Sequence, residues 1–174
     1  MFNNNIVLAH DVVVLPNQGG YAATVWQPNL DVIHLYRLDT LGRTLWNINL
    51  KDSLTNTTFS FAHLNISQDG NLVIGTTKRT WSLHTTLGIG LSKHHINDGR
   101  VLWEQTYVFD GTQPTYLDFL TDCVPTPDGG LLLSSTTYTD STYRQSLLMV
   151  IKTDGAGMEQ WRYTHDYNAI VPCP

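Results

Sequence analysis

The feature that most constrains this chain is an internal repeat present in three copies. Trp46, Trp103 and Trp161 stand 57 and 58 residues apart, and each follows a glycine by four positions: Gly42, Gly99 and Gly157. Apolar runs precede them, Val32 to Leu38, Leu87 to Leu91 and Leu147 to Ile151. An apolar run, a polar glycine-bearing turn and a run carrying an aromatic read as a β-hairpin. A second marker comes before each hairpin: Pro16-Asn17-Gln18-Gly19-Gly20, Ser67-Gln68-Asp69-Gly70-Asn71 and Thr126-Pro127-Asp128-Gly129-Gly130. Strand-like residues flank these strings, with Val12 to Leu15 ahead of the first and Tyr21 to Val25, Leu72 to Ile74 and Leu131 to Leu133 behind the three. Gly19, Gly70 and Gly129 are the glycines expected to give these turns their positive φ.

Each unit therefore holds four strands, here A to D in chain order. A four-stranded sheet with two apolar faces cannot bury both alone, whereas sheets stacked radially bury them against one another. The predicted fold is all-β, a partial β-propeller of three four-stranded antiparallel blades plus the first strand of a fourth. One domain, 1–174, is expected, with blades at about 5–54, 58–112 and 116–165 and the extra strand at 167–174. The final stretch, Ala169 to Pro174, resembles Cys123 to Pro127 ahead of the third glycine turn. Such a chain reads as a fragment, an open arc, or one half of a ring that a second copy completes. The recurring Trp of strand D is expected to wedge against the neighbouring blade.

Composition narrows the function classes. Charged residues are 14%, against roughly 25% in an average chain, and Thr, Ser and Asn take their place. That balance suits β-rich surfaces outside the cytoplasm. The net charge is −5 and the 10 Lys and Arg are scattered, so no counterion-releasing surface for nucleic acid exists. No apolar run approaches the roughly 18 residues of a membrane span. Met1 to Asn5 lack the basic flank and apolar segment of a signal peptide. Cys123 and Cys173 form no Cys-x-x-Cys spacing and read as buried or free thiols, with a single disulfide as the alternative.

The strings Pro127 to Ser135 and Leu148 to Trp161, with their Asp-Gly-Gly and Lys-x-Asp…Gly-x-x-x-Trp patterns, resemble quinoprotein-like repeats of the bacterial β-propeller superfamily. The likeness runs over essentially the whole chain and is carried by turn and packing residues, which specify a blade and not an activity. It implies an extracytoplasmic binding or scaffold module. The enzymatic quinoproteins have cysteines adjacent in sequence and a calcium site, whereas Cys123 and Cys173 lie far apart. No cofactor and no metal are expected.

Propeller geometry then says where a ligand would sit. The A–B and C–D turns share one face, and the longer B–C and D–A loops share the other. From the turn glycine to the Trp there are 27, 33 and 32 residues in the three copies, so the B–C side carries the length variation. Insertions that differ between repeats map to a binding face. The expected loops are 26–31, 78–87 and 137–146, with 51–58 and 107–117. Trp26, Trp81, Tyr107 and Tyr138 are the candidate ligand-binding aromatics, beside Phe109, Tyr116 and Tyr143, and suit stacking on a glycan or holding a peptide or protein. His10 and His63 each follow an alanine on strand A; with Asp11 and Asp122 they are expected to line the central channel, or only to hydrogen-bond backbone between blades. His94 and His95 are adjacent on a strand, face opposite ways, and read as surface. Asn56-Thr57-Thr58 and Asn65-Ile66-Ser67 fit the glycosylation pattern. No nucleophile elbow is present and no catalytic residue is assigned. The expected function is a non-catalytic binding or scaffold module. The alternatives are a piece of a larger propeller enzyme, either a quinoprotein-like dehydrogenase or a hydrolase, and a self-associating half-propeller.

Overall fold

The computed structural model describes residues 7–17, 19–27, 30, 32–50, 57–80, 86–108, 117–138 and 146–166. These residues form strands and no helix, in three four-stranded antiparallel sheets, as the repeat requires. The first sheet is β1 (Leu8–Val14), β2 (Tyr21–Gln27), β3 (Val32–Leu38) and β4 (Thr44–Leu50). The second is β5 (Thr57–Ile66), β6 (Leu72–Thr80), β7 (Thr86–His94) and β8 (Val101–Tyr107). The third is β9 (Leu117–Pro125), β10 (Leu131–Tyr138), β11 (Ser146–Thr153) and β12 (Glu159–Asp166). Within each sheet the strands pair in chain order. Strand β5 packs on β1, β2 and β3, and β9 packs on β5, β6 and β7, so each first strand leans on the sheet before it. The expected fourth-blade strand, 167–174, lies outside the described residues.

Two apolar layers separate the three sheets. Ile33 and Leu35 of blade one meet Leu64, Leu72 and Ile74 of blade two, and Val73, Ile89 and Leu91 of blade two meet Leu131, Leu133, Met149 and Ile151 of blade three. Successive residues of the central strand β6 thus serve different layers, which is why Leu72-Val73-Ile74 reads as an unbroken apolar run. Each fully buried Leu, Ile or Val contributes roughly 1.5–3 kcal/mol. Further along β6 and β10 the buried polar positions are Thr76, Thr77, Lys78, Ser135 and Thr137. The Thr- and Ser-rich composition therefore lies partly between blades and is not only a surface property.

The turns repeat as closely as the strands. Asp39 and Asp154 each accept two amides through Oδ1, from Leu41 and Arg43 and from Ala156 and Met158, and the amides of Gly42 and Gly157 return to the carbonyls of Asp39 and Asp154. Gly42, Gly99 and Gly157 have φ of 77°, 73° and 77°. In the A–B turns the positive φ falls on Gly70 and Gly129 as expected, but on Gly20 in the first copy, where the turn is one residue longer and Asn17 also sits at φ 55°. Gly19 thus gives way to Gly20. Asp69 pairs with Lys93 at 2.7 Å and Asp128 with Lys152 at 2.8 Å, tying each A–B turn to strand C. The Lys152 ammonium, Thr126 and the Gly130 amide hold the Asp128 carboxyl well below the ordinary carboxylate range. Arg37, opposite Trp46 as Lys93 is opposite Trp103, stands where blade one has Asn17 in place of the acid and donates to the carbonyl of Leu38.

The tryptophans join one blade to the next. A Cβ added to Gly99 would stand 2.8 Å from Trp46 Cζ3, and one added to Gly157 would stand 2.7 Å from Trp103 Cζ3. The indole of one blade therefore lies on the C–D turn glycine of the following blade, as expected for Trp46 and Trp103. Trp161 differs: it is 50% exposed. In dilute solution, Gly99→Ala and Gly157→Ala are expected to cost about 2–4 kcal/mol, the sum of left-handed strain and overlap with the indole. Gly42→Ala, with nothing within 4 Å of the added carbon, should cost only the strain of about 1–2 kcal/mol. Urea midpoints measure the difference; equal costs for all three would show that the indole seat contributes nothing.

Candidate functional site

The inner edge of the arc is made of the three first strands, and a bulge in each re-aims its side chains. The register shifts between Ala9 and Asp11, between Ser60 and Ala62, and between Leu120 and Asp122. Counting back from the A–B turns, His10 corresponds to Ala62 and Thr121, and Asp11 corresponds to His63 and Asp122. The Ala-His likeness in the sequence paired His10 with His63, one residue out of step. The blade-two bulge at Phe61, one place earlier than the others, is a feature that no local string announces.

The structure brings His10, Asp11, His63 and Asp122 along this edge but commits most of their polar atoms. His10 Nδ1 accepts the Ala62 amide at 2.9 Å, and Asp11 Oδ2 accepts the Leu64 amide at 2.9 Å, both across the blade boundary. Asp11 Oδ1 accepts the Val12 amide and Asp122 Oδ1 the Cys123 amide, a local turn repeated in both strands. His63 Nδ1 lies 4.0 Å from Asp122 Oδ1, and both of these side chains reach solvent. His10 and Asp11 therefore act as clamps between blades, while the side chains of His63 and Asp122 stay accessible to solvent. Among the described residues no three His, Cys, Asp or Glu side chains gather as a metal site would require.

The aromatic candidates divide. Trp26, at the end of β2, is half-buried: it packs against the apolar layer between blades one and two and lies 5.8 Å from the His10 ring. Tyr138, at the end of β10, meets Phe119 edge-on at 6.3 Å, and the Arg79 guanidinium stands 5.7 Å from that same ring. Tyr107 corrects the sequence reading: it ends β8 and is 5% exposed, and its hydroxyl donates to the carbonyl of Gly157. It is a strut between blades two and three and not a loop residue. Trp81, Phe109, Tyr116 and Tyr143 lie outside the described residues, as do most of the candidate loops.

A second polar group escaped the sequence reading. Gly90 on β7 leaves room for the Lys78 side chain, whose Cε stands 2.8 Å from where a Cβ would be. Lys78 Nζ then reaches Glu104 at 2.6 Å and Thr106 at 2.8 Å, with the amine 5.5 Å from the Phe59 ring. The Gly88-x-Gly90 spacing inside a strand pattern was the available signal. Asn49 and Leu50 of blade one close the space into a cavity of about 70 Å³, far below the roughly 300–1,000 Å³ of a small-molecule site. His94 lies beside it and is buried; its Nδ1 donates to the Gly99 carbonyl at 3.0 Å and its Nε2 pairs with Ser92 Oγ at 2.9 Å. It is thus not the surface residue expected; His95 is, paired with Asp98 at 3.0 Å. Cys123 is a free, fully buried thiol. Burial, and then the nearby Asp122 charge, push its pKa up to about 12, so it stays protonated and is no nucleophile.

Protonation connects this edge to stability. Burial, and then the His63 charge, lower the pKa of His10 below 6.5, against a smaller opposing pull from Asp11. Burial acts on His94 in the same direction. The unfolded chain therefore binds protons that the folded chain refuses, so stability falls as pH drops through about 6.5 toward the lower folded values. His10→Asn keeps an acceptor for the Ala62 amide and removes the titration. Between pH 7 and 5 its urea midpoint should fall less than the wild-type midpoint; parallel slopes would show that His10 is not among the groups responsible.

No family model matches the chain, and no curated protein matches it either. The crystal structure of BamB from Moraxella catarrhalis is similar over 85% of this chain and 35% of its own, with a TM-score of 0.47 and 18% identity. The C-terminal domain of Bacillus megaterium YpeB overlaps 94% of this chain and 91% of its own, with a TM-score of 0.22 and 13% identity. This chain thus spans about a third of the BamB chain. At these scores neither likeness decides the fold, which stands on the strand order, registers and repeated turns: the molecule is an arc of propeller blades.

Proposed function

We propose that the chain is a binding or scaffold module that works outside the cytoplasm and takes a glycan, a peptide or a protein segment along the inner rim of the arc. The observation that carries this reading is the contact of Trp26 with His10, whose strand edge is continued in the next blades by His63 and Asp122. A half-buried indole adjoins a polar row of which His63 and Asp122 remain accessible. An amphipathic aromatic beside a hydrogen-bonding imidazole and a carboxylate suits stacking plus polar recognition. The ring of Tyr138 supplies a second platform on blade three at the same strand end. The other groups with chemical potential are engaged: Cys123 is buried and protonated, Lys78 is paired with Glu104, and Tyr107 holds Gly157. The low share of charged residues, 14%, supports the extracytoplasmic placement.

Glycan and peptide arrays probed with the whole chain test the reading. At least one ligand class should bind, and Trp26→Ala and Asp122→Asn should each weaken it by about tenfold, the loss of one good contact. Far-ultraviolet circular dichroism serves as the folding control. Binding that both variants leave unchanged would move the site elsewhere, and catalytic turnover without ligand capture would replace the module reading with an enzyme.

A further inference from the structure

Blades one and three each display one half of the contact that joins neighbouring blades. Inside the arc, the interface is made when a strand-D indole covers a C–D turn glycine of the next blade, Trp46 on Gly99 and Trp103 on Gly157. Trp161 is the third such indole, in the same register opposite Lys152 as Trp46 is opposite Arg37 and Trp103 opposite Lys93. It is 50% exposed, with Tyr163 on the same strand face 54% exposed. Gly42 is the third such glycine, and no atom of the described residues lies within 4 Å of where its Cβ would be. Its turn is already the turn of Gly157: the same aspartate three residues earlier, the same two amides on Oδ1, and the same φ of 77°. The seat is preformed, and no described residue covers it.

The surfaces around seat and indole agree. Counting from the turns, Val12 corresponds to Leu64 and Cys123, and Tyr21 to Leu72 and Leu131. Those four are buried against a preceding blade, whereas Val12 is 62% and Tyr21 36% exposed. Val14 beside them is 73% exposed. An apolar receiving face on blade one and an apolar indole-bearing face on blade three thus belong to the same chain. Each carries what the other lacks.

We infer that two copies of this chain associate head to tail, the Trp161 indole of one seating on Gly42 of the other beside Val12 and Tyr21. The contact continues the blade-to-blade packing already present twice inside the chain, so it requires no new geometry. Because the two patches differ, the contact is heterologous; it closes into a ring if the arc spans half a turn and extends into longer assemblies if it does not.

Sedimentation velocity on the whole chain over a concentration series tests this. The expected result is a mass that rises to two copies or a multiple of them. Trp161→Arg removes the indole, and Gly42→Asn, a residue that tolerates the left-handed backbone, fills the seat. Each should weaken association by at least about 30-fold, the loss of a central aromatic anchor, with the circular dichroism spectrum unchanged. An equimolar mixture of the two variants should recover a pair, because one retains an open seat and the other its indole. Wild-type chain that stays monomeric at every concentration, or assembly that neither variant weakens, overturns the inference.

Discussion

Everything in this arc depends on one contact, an indole packed on a glycine at the corner of the next sheet. The glycine serves two purposes there. It accepts the left-handed backbone that the tight C–D turn demands, and its missing side chain is the space the indole fills. The indole nitrogens of Trp46 and Trp103 are buried without a protein hydrogen-bond partner. Leaving a buried donor unpaired costs about 1–3 kcal/mol, while removing a packed Trp side chain costs about 3–5 kcal/mol. Apolar contact outweighs the orphaned donor, and the wedge holds by shape and not by polar bonds.

Polar contacts take the complementary role of setting register. On the inner edge, His10 and Asp11 of blade one reach backbone amides of blade two, Thr77 of blade two accepts the Leu120 amide of blade three, and Asn65 donates to the Cys123 carbonyl. Net worth per bond is only about 1 kcal/mol, but each fixes which residue of one blade faces which residue of the next. A slip by one residue would exchange the apolar and polar faces of a strand. The clamps and the indole seats lie at opposite sides of each sheet, one at the first strand and one at the last two, so together they fix the angle between blades. On that inner edge Asp11 of blade one is held by the Leu64 amide, while its counterparts His63 and Asp122 keep solvent-accessible side chains.

The central blade shows how a repeat accommodates local change. Gly75 leaves room for Leu120 and Cys123 of blade three on one face, and Gly90 leaves room for Lys78 on the other. In blade one the residues at these places are Thr24 and His34, and in blade three Ser134 and Met149. The Lys78–Glu104 pair sits in the resulting notch between blades one and two. Blade two is thus thinner on both faces than its siblings, and its neighbours fill the space.

Strand order, turn positions and the all-β architecture were legible from residues alone, because the glycines and tryptophans recur at spacings that only a repeated four-stranded unit satisfies. Local turn chemistry depends on a few adjacent residues, which a sequence displays in full. The bulge at Phe61, the burial of Tyr107 and His94, and the buried Thr and Ser of β6 and β10 were not legible. Burial of this kind depends on what the neighbouring blade presents, such as the Gly157 carbonyl for Tyr107 or Ile48 and Leu50 of blade one beside His94. The same limit applies to the candidate site: the sequence named Trp26, His10, His63 and Asp122, but which of them would be consumed as clamps was decided across the blade boundary. Periodicity along a chain determines which faces are apolar; only the packed sheets determine which of those faces have met a partner.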